Sequence, residues 1–114
     1  MKRSPLGRRT PLRATSSRKR AQDRRRAVVR RAFMIANPDC ERCGAMATDC
    51  HEIIRRSQVT DAATRPELFV ALCRDCHHWA TVNPWSGHAA GFVLWSWEDN
   101  PSALARARAT RRSR

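Results

Sequence analysis

A chain of 114 residues with a formal net charge of +13 holds one small domain, and its cations are placed unevenly. Residues 1–36 carry 13 Lys/Arg against one acid, residues 37–100 carry 5 against 9, and residues 101–114 carry 5 Arg and no acid. The cationic start Met1-Lys2-Arg3-Ser4-Pro5 leads into no apolar stretch of the kind a signal peptide needs, and the longest apolar run, Leu68 to Cys73, is far too short to span a bilayer.

A near-neutral centre between two cationic arms suits a polyanion, most simply nucleic acid, because each neutralised phosphate releases condensed counterions. The chain is expected to be cytoplasmic, with no membrane partner. Thiols in that compartment stay reduced, so its five cysteines point to metal ligands before disulfides.

Residues 1–20 are poor in apolar side chains and predict a disordered basic arm. Ala27, Val28, Ala32, Ile35 and Ala36 recur at helical spacing and predict a helix over 21–36, its apolar face packed down and its arginines turned towards phosphate. Asn37-Pro38 stops it, since the residue before a proline is pushed out of the α region. There follow a cysteine turn at 40–43, a strand near 47–54, a polar loop near 55–66, a strand near 68–72, a second cysteine turn at 73–76, and a helix near 76–82 that Asn83-Pro84 ends. Residues 91–97 have the aromatic and β-branched content of a further strand. Asn100-Pro101 closes an ordered domain of 21–100, and 101–114 is expected to be a basic tail. Trp79, Trp85, Trp95 and Trp97 are expected mostly to cover the small core, with base stacking as the alternative use. His88, in a loop of small residues, receives no role.

Cys40-x2-Cys43 and Cys73-x2-Cys76 stand 29 residues apart. Each pair sets two thiolates on one tight turn, and two such turns complete a tetrahedral four-sulfur shell. A closed shell has no position for water, so this site is structural, a staple for a thin core. Zinc is the expected ion, with an iron–sulfur centre as the competitor for the same thiolates. Cys50 lacks a partner at this spacing and fits a small buried apolar residue.

Between the cysteine pairs stands His51-Glu52-Ile53-Ile54-Arg55-Arg56-Ser57-Gln58, and after the second strand stands Leu72-Cys73-Arg74-Asp75-Cys76-His77-His78-Trp79. Over about residues 40–82 this resembles the HNH endonucleases, particularly the short zinc-containing members found in bacteriophages and bacteria. The resemblance implies an α+β fold: a small ββα-metal finger of two antiparallel strands and a helix, stapled here by the four-cysteine zinc site and flanked by an N-terminal helix and basic tails. It implies hydrolysis of DNA phosphodiester bonds in the host or bacterial cytoplasm. Laid on the family pattern, His51 and His77 take the places of ligands to a catalytic divalent cation, Mg²⁺ or Mn²⁺, and Arg56 and Ser57 match its Arg-Ser. Arg55 and Arg56 would lie along the DNA backbone.

Two positions depart from that pattern. The general-base histidine falls at Glu52, and the family's asparagine, nine residues before the last histidine, falls at Leu68. Glu52 would then act as the catalytic base or as a hard oxygen ligand, with the cation or His78 activating water instead. A register shifted by one residue would make His51 the base and Cys50 the ligand. The alternative function is a zinc-stabilised DNA-binding module with a degenerate, inactive site.

Overall fold

The computed structural model describes residues 16–55, 57–59 and 61–113. Most of the expected basic arm, and Arg56 with it, lies outside the described residues. The fold is α+β, with four α-helices and one two-stranded antiparallel sheet among the described residues.

Helix α1 spans Ser17–Ala36, starting four residues before the expected boundary at 21, so residues 17–20 are helical and not part of an arm. The start is set by Ser16, whose Oγ accepts the Lys19 backbone N–H at 3.1 Å. The end falls at Asn37, before Pro38, as expected. The packing face differs from the one read off the alanines. Val28 and Ile35 are 68% and 74% exposed, while Arg26, Val29, Arg30, Phe33 and Met34 are half-buried. Phe33 decides this: its ring meets Phe69 edge-on with centroids 5.4 Å apart, and one aromatic ring offers more contact area than several alanine methyls.

Strands β1 (Asp49–Glu52) and β2 (Phe69–Leu72) pair with Asp49 opposite Leu72, Cys50 opposite Ala71, His51 opposite Val70 and Glu52 opposite Phe69. All four β2 side chains are buried. Ile53, Ile54, Leu68, Val70, Leu72, Phe92 and Leu94 form the centre of the core. Leu68, at the position of the resembling family's asparagine, is fully buried there. The polar loop expected at 55–66 contains a 3₁₀ turn at Ala62–Thr64 with Ala62 and Ala63 buried. Arg65 anchors its end, donating to both carboxylate oxygens of Asp99 at 2.7 and 2.8 Å.

Helix α2 is Arg74–Val82, capped by Cys73 and ended at Asn83, and the short α3 is Pro84–Ala89. Residues 91–97 are not a strand. Their backbone is committed elsewhere: the Phe92 N–H donates to Gly87 at 2.8 Å, the Leu94 N–H to Ile53 at 2.7 Å, and the Phe92 carbonyl accepts from His51. A 3₁₀ turn follows at Ser96–Glu98.

The C-terminal segment is likewise not a tail. Pro101–Arg112 forms α4, capped by Asn100, whose Oδ1 accepts the Ala103 N–H at 2.8 Å. Ala103, Ala107 and Arg111, four residues apart, are its buried line. Asn-Pro ends α1 and α2, but Asn100-Pro101 begins α4 as Asn83-Pro84 begins α3, because proline fits a first helical position and asparagine is a strong N-cap. Gly91 lets α4 approach: its φ is +87°, and a Cβ there would collide with the Ala107 carbonyl oxygen and Arg111 Cγ. No helix of the described residues is long and apolar enough to cross a membrane.

Candidate functional site

The sheet register assembles the cysteines. Cys73 directly follows β2, and the 40–43 turn is fastened beside that end of the sheet by Glu41 N–H to Ala71 O at 2.9 Å and Thr48 N–H to Leu72 O at 3.0 Å. The four sulfurs of Cys40, Cys43, Cys73 and Cys76 lie within 4.8 Å of one another. Four thiolates around one ion at about 2.3 Å would stand about 3.8 Å apart along each tetrahedral edge, and Cys43 Sγ is 3.7 Å from Cys73 Sγ. This spacing fits one tetrahedral ion, consistent with a structural zinc, and leaves no room for a cluster of several irons.

The four thiols are not alike: Cys40 is held low, whereas burial pushes the Cys76 thiol up to about 12, and against a backbone hydrogen bond at Ala45 the neighbouring sulfurs push the Cys43 thiol up. The Cys43 N–H points to Cys40 Sγ and the Cys76 N–H to Cys73 Sγ, each at 3.5 Å. Cys73 sits at the positive end of α2. Arg42 Nη1 donates to Cys76 Sγ at 3.5 Å while its guanidinium lies 3.7 Å over the Trp79 ring. Burial opposes ionisation of Cys40, but surrounding backbone N–H groups prevail and hold its thiol at about 6.

A second group of titratable side chains lies along β1 and the first turns of α2. His77 Nδ1 is 2.7 Å from Asp49 Oδ2. The His51 and His77 rings meet edge-on with centroids 5.1 Å apart. Asp49 and His51, two apart on a strand, share one face. His51 is 7% exposed, and its Nε2 lies 2.6 Å from the Phe92 carbonyl oxygen. A carbonyl only accepts, so Nε2 carries the proton and Nδ1 keeps the lone pair. Burial holds the conjugate acid of His51 down to about 4, so the ring is neutral at pH 7. Asp49 stays ionised: burial opposes this, but the hydrogen bonds from His77 and Thr48 and the nearby Arg74 guanidinium, 3.1 Å away, outweigh it.

This arrangement brings together some of the expected residues and separates others. His51 and His77 meet, a pairing that only the resemblance implied, and Asp49 joins them. Glu52 lines a cleft with the two histidines but does not join their contacts: strand alternation points it with Cys50 to the other face of β1, where Arg30 of α1 lies against the Cys50 thiol. Cys50 is buried and its thiol is pushed up by that burial, which suits the small apolar filler expected of it. Arg55 is exposed, and His78 is too. Asp49 was legible as an acid two residues before a strand histidine. Arg30 and the Phe92 carbonyl come from distant segments and carry no local signal.

A cleft of about 670 Å³ runs along the free edge of β1, lined among others by Arg30, His51, Glu52, Arg55, His77 and Trp95. A second hollow of about 490 Å³ shares Arg30, Cys50, His77 and Thr81 with it and adds Asp49 and Arg74. The two form a groove with arginines at its margins and the His–Asp–His group in its wall.

No protein-family model, no curated protein and no solved structure matches this chain.

Two donors on adjacent corners of an octahedral shell at about 2.1 Å would stand about 3 Å apart. Asp49 Oδ2 and His77 Nδ1, at 2.7 Å, need to part only slightly to share such an ion. An anionic oxygen and an imidazole nitrogen are an ordinary donor pair for a divalent cation.

Proposed function

We propose that this chain is a metal-dependent endonuclease of the HNH type that hydrolyses DNA phosphodiester bonds, built as a ββα-metal finger from β1, β2 and α2 and stapled by zinc on Cys40, Cys43, Cys73 and Cys76. The observation that carries this is the Asp49–His77–His51 group in the wall of an arginine-edged groove. Asp49 and His77 would hold the divalent cation, Mg²⁺ or Mn²⁺, which supplies charge neutralisation at the scissile phosphate and the leaving oxygen.

The other roles belong to the chain. His51, its Nε2–H committed to the Phe92 carbonyl, offers Nδ1 to take a proton from the attacking water. That fixed tautomer and burial between β1 and the 92–94 segment keep the ring from turning away. His51 thus serves as base, and Asp49 stands in the ligand position that the residue-by-residue resemblance gave to His51. Glu52 is left without a chemical step. Arg30, Arg55 and Arg74 at the groove margins, with the remaining seven Lys/Arg of α1, supply contacts to phosphate oxygens.

Plasmid nicking with Mg²⁺, Mn²⁺ or EDTA tests this. His77→Ala should lower the rate by about a hundredfold or more with zinc content and fold unchanged. His51→Ala should lower it as far but also lose stability, because it strips the buried Phe92 carbonyl of its donor, and Glu52→Gln should cleave within a few-fold of wild type. A wild-type chain that nicks no faster than His77→Ala with any divalent ion, on single- or double-stranded DNA, would reduce it to a zinc-stabilised DNA-binding module.

A further inference from the structure

The expectation that the tryptophans mostly cover the core holds poorly. Trp79 is packed, its ring edge-on to Phe92 at 6.1 Å. Trp85 and Trp97, however, are 78% and 77% exposed. Both flank Trp95, with ring centroids 5.2 Å and 6.2 Å away. Three indoles thus cluster, two of them exposed and Trp95 half-buried between its contacts, and Trp95 is also part of the cleft wall that holds His51, His77, Arg30 and Arg55.

The cluster is held in place. His88 stacks flat on Trp95, centroids 4.8 Å apart and planes 8° from parallel. Its Nε2 lies 2.7 Å from Glu98 Oε1, which also accepts the Trp95 backbone N–H at 2.9 Å. Arg106 of α4 approaches the other oxygen of Glu98 at 3.7 Å. A rigid central ring with two exposed neighbours is a stacking surface formed before any ligand arrives, so little ordering entropy is lost on binding.

We infer that Trp85, Trp95 and Trp97 form a platform for unpaired nucleobases beside the cleft, so that the preferred substrate is single-stranded, or a duplex opened next to the cleavage point. This rests on the nuclease reading for the identity of the polyanion. Charge selects the occupant: Arg30 and Arg55 line the same cleft as Trp95, which suits a strand with a phosphate for every base. Bases in an intact duplex hide their faces in the stack, whereas an unpaired base offers a face to each exposed indole.

The test uses the full chain and four fluorescently labelled probes of equal length: a thymidine single strand, an abasic single strand, a blunt duplex and a duplex with a single-stranded overhang. The thymidine strand should bind more tightly than the abasic strand and quench tryptophan emission. Trp85→Ala and Trp97→Ala should each weaken thymidine-strand binding about tenfold, and leave abasic and blunt-duplex binding unchanged. Trp85→Phe and Trp97→Phe should recover most of the loss. Because both side chains are exposed, the alanine variants should unfold as wild type does. The platform is overturned if both variants bind the thymidine strand as wild type does while duplex binding persists, a result that leaves the nuclease reading intact. It is also overturned if the substitutions change only self-association in sedimentation, which would make the cluster a contact between copies. Loss of binding to all four probes in wild type would overturn both readings.

Discussion

Replacing Arg111 by methionine should loosen the fold from its C-terminal helix and, with it, the zinc turn. Arg111 is 8% exposed. Its Nη1 donates to the Gly91 carbonyl at 2.6 Å and its Nε to Glu41 Oε1 at 3.0 Å. Methionine keeps the apolar stem and removes both donors. A buried carbonyl that loses a charged donor costs about 1.5–3 kcal/mol. The Glu41 side chain is 31% exposed, so it regains water, and losing that pair adds only about 0.5–1 kcal/mol. The expected loss is therefore about 2–4 kcal/mol, a large part of the stability of a domain this size. Urea unfolding followed by circular dichroism measures it. Arg111→Lys, with the charge but one nitrogen, should recover roughly half. Because Glu41 lies between Cys40 and Cys43, transfer of zinc to a chelator should also be faster in Arg111→Met. An unfolding free energy within about 0.5 kcal/mol of wild type, the range of an ordinary surface change, would refute this account of α4 as part of the domain.

The purified protein should contain about one zinc per chain, and Cys73→Ser or a strong chelator should unfold it; metal analysis finding none in a folded chain would end the zinc assignment. Gly91→Ala should cost more than about 2 kcal/mol in the same urea assay, since it forces a side chain into a positive-φ position against α4; a near-neutral result would contradict the close approach. The Arg65 hydrogen bonds hold the Asp99 carboxyl below the usual range, so its contribution should be complete above about pH 5 and fade as pH falls below about 4. Asp99→Asn should then lose more stability at pH 7 than at pH 3, and equal losses at both would contradict a depressed Asp99 carboxyl. Removing residues 1–15, which carry 5 Lys/Arg, should flatten the slope of log affinity for DNA against log salt; an unchanged slope would show that those cations do not touch phosphate.

Short-range chemistry was legible in the sequence. Cys-x2-Cys pairs, the proline stops after α1 and α2, and the apolar run that became β2 act over a few residues, and each appears near its expected place. The approach of His51 and His77 was implied by the resemblance alone; in the fold it comes from β1, which carries His51, and the first turn of α2, which carries His77. The apolar face of α1 was misjudged because spacing cannot weigh one Phe33 against several alanines; the contact with Phe69 does that. The 91–97 segment had the side chains of a strand, but a strand needs a partner for its backbone, and here Gly87, Ile53 and His51 take those groups. The arginine-rich terminus had the composition of a tail, since nothing local reveals that Arg111 reaches Glu41 seventy residues away. The site turned on the same difference. Sequence placed Glu52 beside His51, where strand alternation sends it to the other face. Tertiary structure brought Asp49 to His77 and the Phe92 carbonyl to His51, because side-chain direction and distant backbone decide which groups touch.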